Sequence, residues 1–252
     1  MRADHCPSQE LEKEIGEELP LELPQEGGTT ATALVLYPTG LIVAWVGDSR
    51  AVMAVDAEPE SAGLGGSGGP ARLSAVALTT DHNTSDSAEK ARLEGAGGKA
   101  GGEGMHGHVS VGGAEGSLKV TRSLGDSPFH KGEAVSAVPG VAHVPLTAAI
   151  RFVVVASDGI WDHLSNAEVV DIAAEAIRKA RTIGQPGNVE PQDGAPAPPG
   201  LSKQRSNGPM LSVAAAAACE AVLDRIDRGQ ASGELDSNKD DRSICVAILR
   251  PG

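Results

Sequence analysis

Two pairs of aspartates stand where chemistry could be done. Asp158 and Asp162 lie four residues apart in Ser157-Asp158-Gly159-Ile160-Trp161-Asp162, directly after the apolar run Phe152 to Ala156. Asp240 and Asp241 are adjacent and shortly precede a second apolar run, Ile244 to Leu249. Taken alone, each pair has a plain explanation. An aspartate after a strand often caps a helix or forms a turn, and neighbouring loop aspartates are usually just solvated. The two apolar runs, however, suit strands covered on both faces and placed side by side in a central sheet. That arrangement gathers the carboxylates at the strand ends, where they repel one another unless protonated or bridged by a hard cation that takes oxygen ligands.

Other chemistries are poorly supplied. Ser49, Ser123 and Ser157 are not in G-x-S-x-G elbows, and the glycine-rich stretch 95–116 lacks the Lys-Ser/Thr that would follow a phosphate-cradling loop. His82 and His163 stand next to acidic residues, where packing or hydrogen bonding is the expected role. Cys6, Cys219 and Cys245 match neither a zinc pattern nor a disulfide framework, which points to a reducing compartment. Among the 252 residues, 21 Lys and Arg face 34 Asp and Glu, a net charge of -13 that repels phosphate backbones and anionic lipids, and aromatics at 2% leave little for base stacking. No nucleic acid and no membrane partner is expected. The charged first twenty residues contain no signal-peptide core and no stretch is long and apolar enough to span a bilayer, so a cytoplasmic or nuclear location is expected.

The elements that must position these residues begin after an acidic segment, 1–26, which reads as a mobile arm. Ala31 to Tyr37, Leu41 to Val46 and Arg50 to Val55 form three β-rich runs, the first two joined by Pro38-Thr39-Gly40, and together they predict an antiparallel meander. Ser74 to Thr79 reads as a strand, Ser87 to Glu94 as a short helix stopped at Gly95, and the glycine-rich stretches 58–70 and 97–116 as loops. A capping box, Ser165-Asn166-Ala167-Glu168, starts a helix with Val169, Ile172, Ala173, Ala176 and Ile177 on one face. A second helix, Leu211 to Arg228, carries a stripe of Leu211, Ala214, Ala218, Val222 and Ile226. The Pro/Gly-rich stretch 184–209 between them reads as a disordered insertion.

Several ordered blocks resemble the PPM (type 2C) family of metal-dependent serine/threonine protein phosphatases. Gly27-Gly28-Thr29-Thr30-Ala31 is similar to the family's small-residue strand entry, Gly47-Asp48-Ser49-Arg50-Ala51 to its G-D-S-R hairpin, and Leu78-Thr79-Thr80-Asp81-His82 to L-T-x-D-H. Glu89 to Gly98 resembles E-x-x-R-[IL]-x-x-x-G-G, and Leu118 to Asp126 the family's L-x-V-[ST]-R-[AS]-[FL]-G-D. Asp158 to Asp162 matches D-G-[LIV]-W-D, and Asp240-Asp241-Arg242-Ser243 matches D-[ND]-x-[ST].

The resemblance implies an α+β fold, an αββα sandwich of two antiparallel sheets flanked by helices, over residues 27–252. It implies a hydrolase acting on phosphoserine and phosphothreonine in a phosphoprotein substrate through water activated by Mg²⁺ or Mn²⁺. Asp158 and Asp240 match ligands of the two-metal centre, while Asp81 and Asp162 match a third, weaker position; Asp86 lies in no matched metal position. The family's opening acidic strand, phosphate-contacting Arg and D-G-H-G-G block have no counterpart here, so the domain is expected to lack its N-terminal strands and helices. The same departure makes a non-catalytic pseudophosphatase or regulatory binding module the alternative.

Overall fold

The computed structural model describes residues 27–57, 72–102, 107–183, 208–236 and 241–249, with 183 and 208–211 described by backbone alone. In chain order the elements are β1 (Gly28–Thr29), β2 (Ala31–Tyr37), β3 (Gly40–Val46), β4 (Arg50–Asp56), β5 (Leu73–Ala77), α1 (Ser87–Gly95), β6 (Lys99–Gly101), β7 (His108–Ser110), β8 (Leu124–Gly125), β9 (Gly140–Pro145), β10 (Ile150–Ala156), α2 (Asp158–Trp161), α3 (Asn166–Ile183), α4 (Gly208–Ser232) and β11 (Ile244–Ile248). Two larger sheets result, ordered β11-β10-β4-β5 and β2-β3-β9, with every strand pair antiparallel.

β2 and β3 form the expected hairpin, with a tighter turn in which Gly40 pairs with Tyr37. The expected meander stops there. β4 crosses into the other sheet and pairs with β5 and β10. The cause is visible in its side chains. Ala51 and Met53 pack with β3 residues Leu41 and Val43 between the sheets, while Val52 and Ala54 pack on the helices behind, so the strand is buried on both faces. As the third strand of a meander it would keep only one of those faces out of water. β10 repeats the pattern, with Val153 turned toward the opposing sheet and Phe152, Val154 and Ala156 toward the helices.

α3 and α4 supply the outer layer. The capping box forms as its spacing requires: Ser165 Oγ accepts from Glu168 N (3.3 Å) and Glu168 Oε2 accepts from Ser165 N (2.9 Å). Val169, Val170, Ala173 and Ile177 of α3 and Ala214, Ala218, Val222 and Ile226 of α4 are buried against the four-stranded sheet. The small alanines let α4 lie close, and each buried Val or Ile contributes about 1.5–3 kcal/mol. On the outer face of the three-stranded sheet, by contrast, Val35 and Val141 are 57% and 63% exposed.

Two further expectations are corrected. The stretch 97–116 is not only a loop, because β6 and β7 form a hairpin within it that closes, with α1, over Leu93, Val109, Phe129 and Val135. α4 begins at Gly208, inside the stretch 184–209 assigned to an insertion, because Gly208 and Pro209 already belong to the helix. The rest of that insertion and the arm 1–26 lie outside the described residues. Among the described residues no helix is long and apolar enough to cross a membrane.

Candidate active site

The crossover from β3 to β4 forms one wall of the site. Gly47 sits at φ 97°, in the left-handed region, and a Cβ there would run into the side chain of Thr30. His82 is bound to the same glycine on both sides, accepting from Gly47 N at Nδ1 (3.2 Å) and donating its own N–H to Gly47 O (3.0 Å). It is 4% exposed and stacked on Trp45, and burial, reinforced by the nearby Arg122, pushes its imidazole down to about 4. The expected packing and hydrogen-bonding role for His82 is the one seen. The small-residue entry strand serves the same turn: Thr30 Oγ1 lies 2.9 Å from Ser49 Oγ, and Thr32 Oγ1 donates to Ser49 O (2.9 Å).

Arg50, first residue of β4, holds Asp81 with two hydrogen bonds, Nε to Oδ1 (3.0 Å) and Nη2 to Oδ2 (2.6 Å). Its Nη1 donates to Asn166 Oδ1 (2.8 Å) at the start of α3, and its guanidinium lies 5.3 Å from the centre of the Trp161 ring. One arginine therefore ties together β4, the segment after β5 and the start of α3, and fixes where Asp81 stands.

The second wall comes from the end of β10. Asp158 opens α2 and accepts at Oδ1 from Gly159 N (2.9 Å), while Asp162 N closes the turn onto Asp158 O (2.8 Å). Trp161 Nε1 donates to Ala156 O (2.8 Å), locking the turn against the strand. β10 and β11 are neighbours as expected, and Ser157 clasps their ends: Oγ donates to Asp241 O (3.1 Å) and accepts from Ser243 N (3.0 Å). A Cβ at Gly159 would stand 2.5 Å from Asp241 O, so only glycine allows this approach. Asp240 lies outside the described residues. His163, the other histidine beside an acidic block, pairs with Gln230 of α4 at 3.4 Å.

Between the walls lies a cleft of about 420 Å³ lined by Asp48, Asp81, Asp158 and Asp162, together with Arg50 and Lys119. Asp86, left outside the metal pattern, also lines it while its carboxylate caps α1 by accepting from Ala88 N and Glu89 N. Asp48 is the group the sequence reading missed. Burial and the repulsion of Asp158, Asp81 and Asp162 push its carboxyl up to about 7. The cleft is thus short of positive charge. Its donors are all oxygens, the set a hydrated Mg²⁺ or Mn²⁺ takes, although among the described residues no three acidic, His or Cys side chains are grouped tightly enough to hold an ion unaided. Waters and further oxygens must complete any coordination shell.

A closed ion cluster ties α1 to the segment that follows Lys119. Glu89 of α1 accepts from Thr121 Oγ1 (2.8 Å), Arg92 Nη2 (3.2 Å) and Arg122 Nε (3.0 Å), and also from Arg122 Nη2. Burial alone would raise this carboxyl, but the hydrogen bonds from Arg122, Thr121 and Arg92 hold it down to about 2.

The structure is thus an antiparallel sandwich with an acidic cleft where strand ends from both sheets meet. The protein phosphatase 2C family model matches residues 4–192, and the chain belongs to that family. It is 40% identical over 159 residues to a probable protein phosphatase 2C 48 of Oryza sativa subsp. japonica, covering 61% of this chain and 42% of the relative. It is 33% identical over 162 residues to a probable protein phosphatase 1N of Homo sapiens, covering 61% of this chain and 32% of the relative. The matches thus span less than half the length of these relatives. The fold is that of a serine-threonine phosphatase 2C from Toxoplasma gondii, with TM-score 0.64 and 22% identity over 96% of this chain and 63% of that one.

Proposed function

We propose that the chain carries the catalytic cleft of a protein serine/threonine phosphatase that hydrolyses phosphoserine and phosphothreonine esters with Mg²⁺ or Mn²⁺. The observation that supports this most directly is the convergence of Asp48, Asp81, Asp158 and Asp162 on one cleft, with Asp48 raised to about 7 by burial and by the repulsion of its carboxylate neighbours. In this reading Asp158 and Asp240 are the principal cation ligands, and Asp81 and Asp162 serve a weaker, outer position. Divalent cations bound there would polarise an attacking water and neutralise the phosphoryl oxygens. The chain's own part is to place the oxygens. Gly159 N orients the Asp158 carboxylate, Arg50 orients Asp81, and the Ser157 clasp brings the segment that follows Asp240 up to α2. Phosphoproteins in the cytoplasm or nucleus are the substrates that go with this reading.

Calorimetric Mn²⁺ titration of the whole chain, with p-nitrophenyl phosphate turnover on metal-stripped and reloaded protein, tests it. Asp158→Asn should weaken Mn²⁺ by about tenfold, because a neutral amide replaces a charged ligand, and abolish turnover. Equal affinity in wild type and Asp158→Asn would remove Asp158 from the site. Cation binding without any turnover would instead place the chain among non-catalytic modules.

A further inference from the structure

Asp48 stands in a turn that is gripped from one side by a single residue. Gly47, buried and at φ 97°, donates its N–H to His82 Nδ1 (3.2 Å) and accepts at its carbonyl from His82 N (3.0 Å). The two bonds hold the peptide units before and after the Gly47 Cα, and so set both of its dihedrals. The second unit leads into the cleft. Because a peptide is planar, the carbonyl that His82 holds fixes the direction of the Asp48 N–H, and that N–H interacts with Asp48's own carboxylate. His82 is itself held on several sides. Trp45 stacks on its ring and donates Nε1 to Thr80 O (2.8 Å), Thr79 Oγ1 accepts from Ala51 N (3.0 Å), and Thr121 N donates to His82 O (2.8 Å).

Of the two bonds to Gly47, the backbone one survives any substitution at position 82, whereas the imidazole supplies the other. Without an acceptor at the place of Nδ1, Gly47 N becomes a buried donor with no partner, a loss the turn relieves by rotating toward water. Glycine resists such a rotation little. Asp48 follows it, and the repulsion of Asp158, Asp81 and Asp162 favours its departure. Holding Asp48 in the cleft therefore takes work, and the His82 side chain is placed to do it.

We propose that His82 is a positioning residue of the cleft, its Nδ1 holding the Gly47 turn so that the Asp48 carboxylate stays with Asp81, Asp158 and Asp162 against their repulsion. This role deepens the phosphatase reading and rests on its cation site. No bond is made or broken at His82, and its effect passes through Asp48.

Calorimetric Mn²⁺ titration of the whole chain, and Tm in chelator at about pH 8, test it on His82→Leu, His82→Asn, Asp48→Asn and the double variant of His82→Leu with Asp48→Asn. Asparagine puts Oδ1 where Nδ1 accepts, and leucine puts a methyl there. Residues that orient a metal ligand typically change affinity by tenfold or more, so His82→Leu should weaken Mn²⁺ about tenfold and His82→Asn less than about threefold. In the Asp48→Asn background, His82→Leu should cost less than about twofold further, a saturation that general destabilisation does not produce. In chelator, the Tm gain given by Asp48→Asn should fall by about half or more once His82 is replaced by leucine. If His82→Leu does not fold, His82→Gln, which carries its acceptor one carbon farther out, takes its place with the same expected losses. Unchanged Mn²⁺ affinity in His82→Leu, or the same loss in both backgrounds, overturns the positioning role and leaves the phosphatase reading standing. So does an equal loss in His82→Asn, which would trace the effect to the ring stacked on Trp45. Should wild type bind no Mn²⁺, the Tm series decides. A gain that depends on His82 would sink the cation reading and leave the positioning role, and a gain indifferent to His82 would sink both.

Discussion

Glu89 and Asp48 are both carboxylates withdrawn from water, and their proton affinities move in opposite directions. Glu89 is drawn down to about 2, and Asp48 is pushed up to about 7. Burial acts the same way on each, favouring the neutral acid. What differs is the company. Glu89 faces Arg122, Arg92 and the Thr121 hydroxyl, which together outweigh its desolvation. Asp48 faces Asp158, Asp81 and Asp162, and the guanidinium nearest to them is already bound to Asp81. The first cluster is a closed structural lock; the second gathers like charges, which is the environment the proposed cation site calls for.

The largest expected effect lies in the lock. Glu89→Gln leaves two half-buried arginines without their counterion and should cost about 3 kcal/mol of stability, read from urea denaturation. A loss under about 1 kcal/mol would mean that solvent reaches the arginines and that the two sites do not differ as described.

Asp48→Asn should act in the opposite sense. Without divalent cations, and at about pH 8, it should stabilise the protein by about 2 kcal/mol while weakening Mn²⁺ binding. The sign follows from linkage. Asp48 is raised from 3.8 to about 7, so between those values the folded protein keeps a proton that the unfolded chain has released, and stability falls as pH rises. His82 runs the other way: its folded value is lowered from 6.5 to about 4, the unfolded chain takes up a proton below 6.5, and stability falls as pH drops toward 4. In wild type the two slopes oppose across the window they share. In Asp48→Asn the opposing slope is gone and that of His82 remains, joined below about pH 4.5 by that of Glu89, so Tm measured in chelator should rise clearly from pH 4 to pH 6.5, where the wild-type profile is flatter. Identical profiles would remove Asp48 from the repulsive group.

How legible this contrast was depended on distance along the chain. The two apolar runs and their flanking aspartates are local patterns, and the strands they form do pair, with Asp158 at the cleft. The capping box at Ser165 is equally local, and it forms. The switch of β4 between sheets was less visible, because a tight turn after Val46 looks like any hairpin; the signal was the unbroken apolar run Ala51 to Val55, which demands cover on both faces. Missing that switch also hid Asp48, whose place in the cleft follows from the crossover. Glu89 was harder still. α1 reads as a short polar surface helix, and the residues that make Glu89 a lock, Thr121 and Arg122, lie 32 and 33 positions later. No periodicity reports a partner at that range. Lys119 escaped for a related reason, since its place in the cleft lining depends on the backbone bridge between Val120 and Asn83.

The smallest expected effect isolates burial from geometry. Arg151 grips Asp56 with two hydrogen bonds, Nε to Oδ1 (2.7 Å) and Nη2 to Oδ2 (2.5 Å), the same two-point grasp that Arg122 makes on Glu89. The difference is solvent: the Arg151 and Asp56 side chains are 46% and 32% exposed, against 18% and 9% for Arg122 and Glu89. At the surface, water replaces either partner at little cost, and ordering two side chains offsets much of the attraction, so Arg151→Ala should change stability by less than about 0.5 kcal/mol. Molar salt should shrink even that, while leaving the penalty of Glu89→Gln nearly intact, because screening reaches exposed charges and not buried ones. Should Arg151→Ala cost as much as Glu89→Gln in the same denaturation experiment, the two-point grasp itself would be the source of stability. The contrast between the closed cluster and the open cleft would then have to be rebuilt on hydrogen-bond geometry instead of on burial.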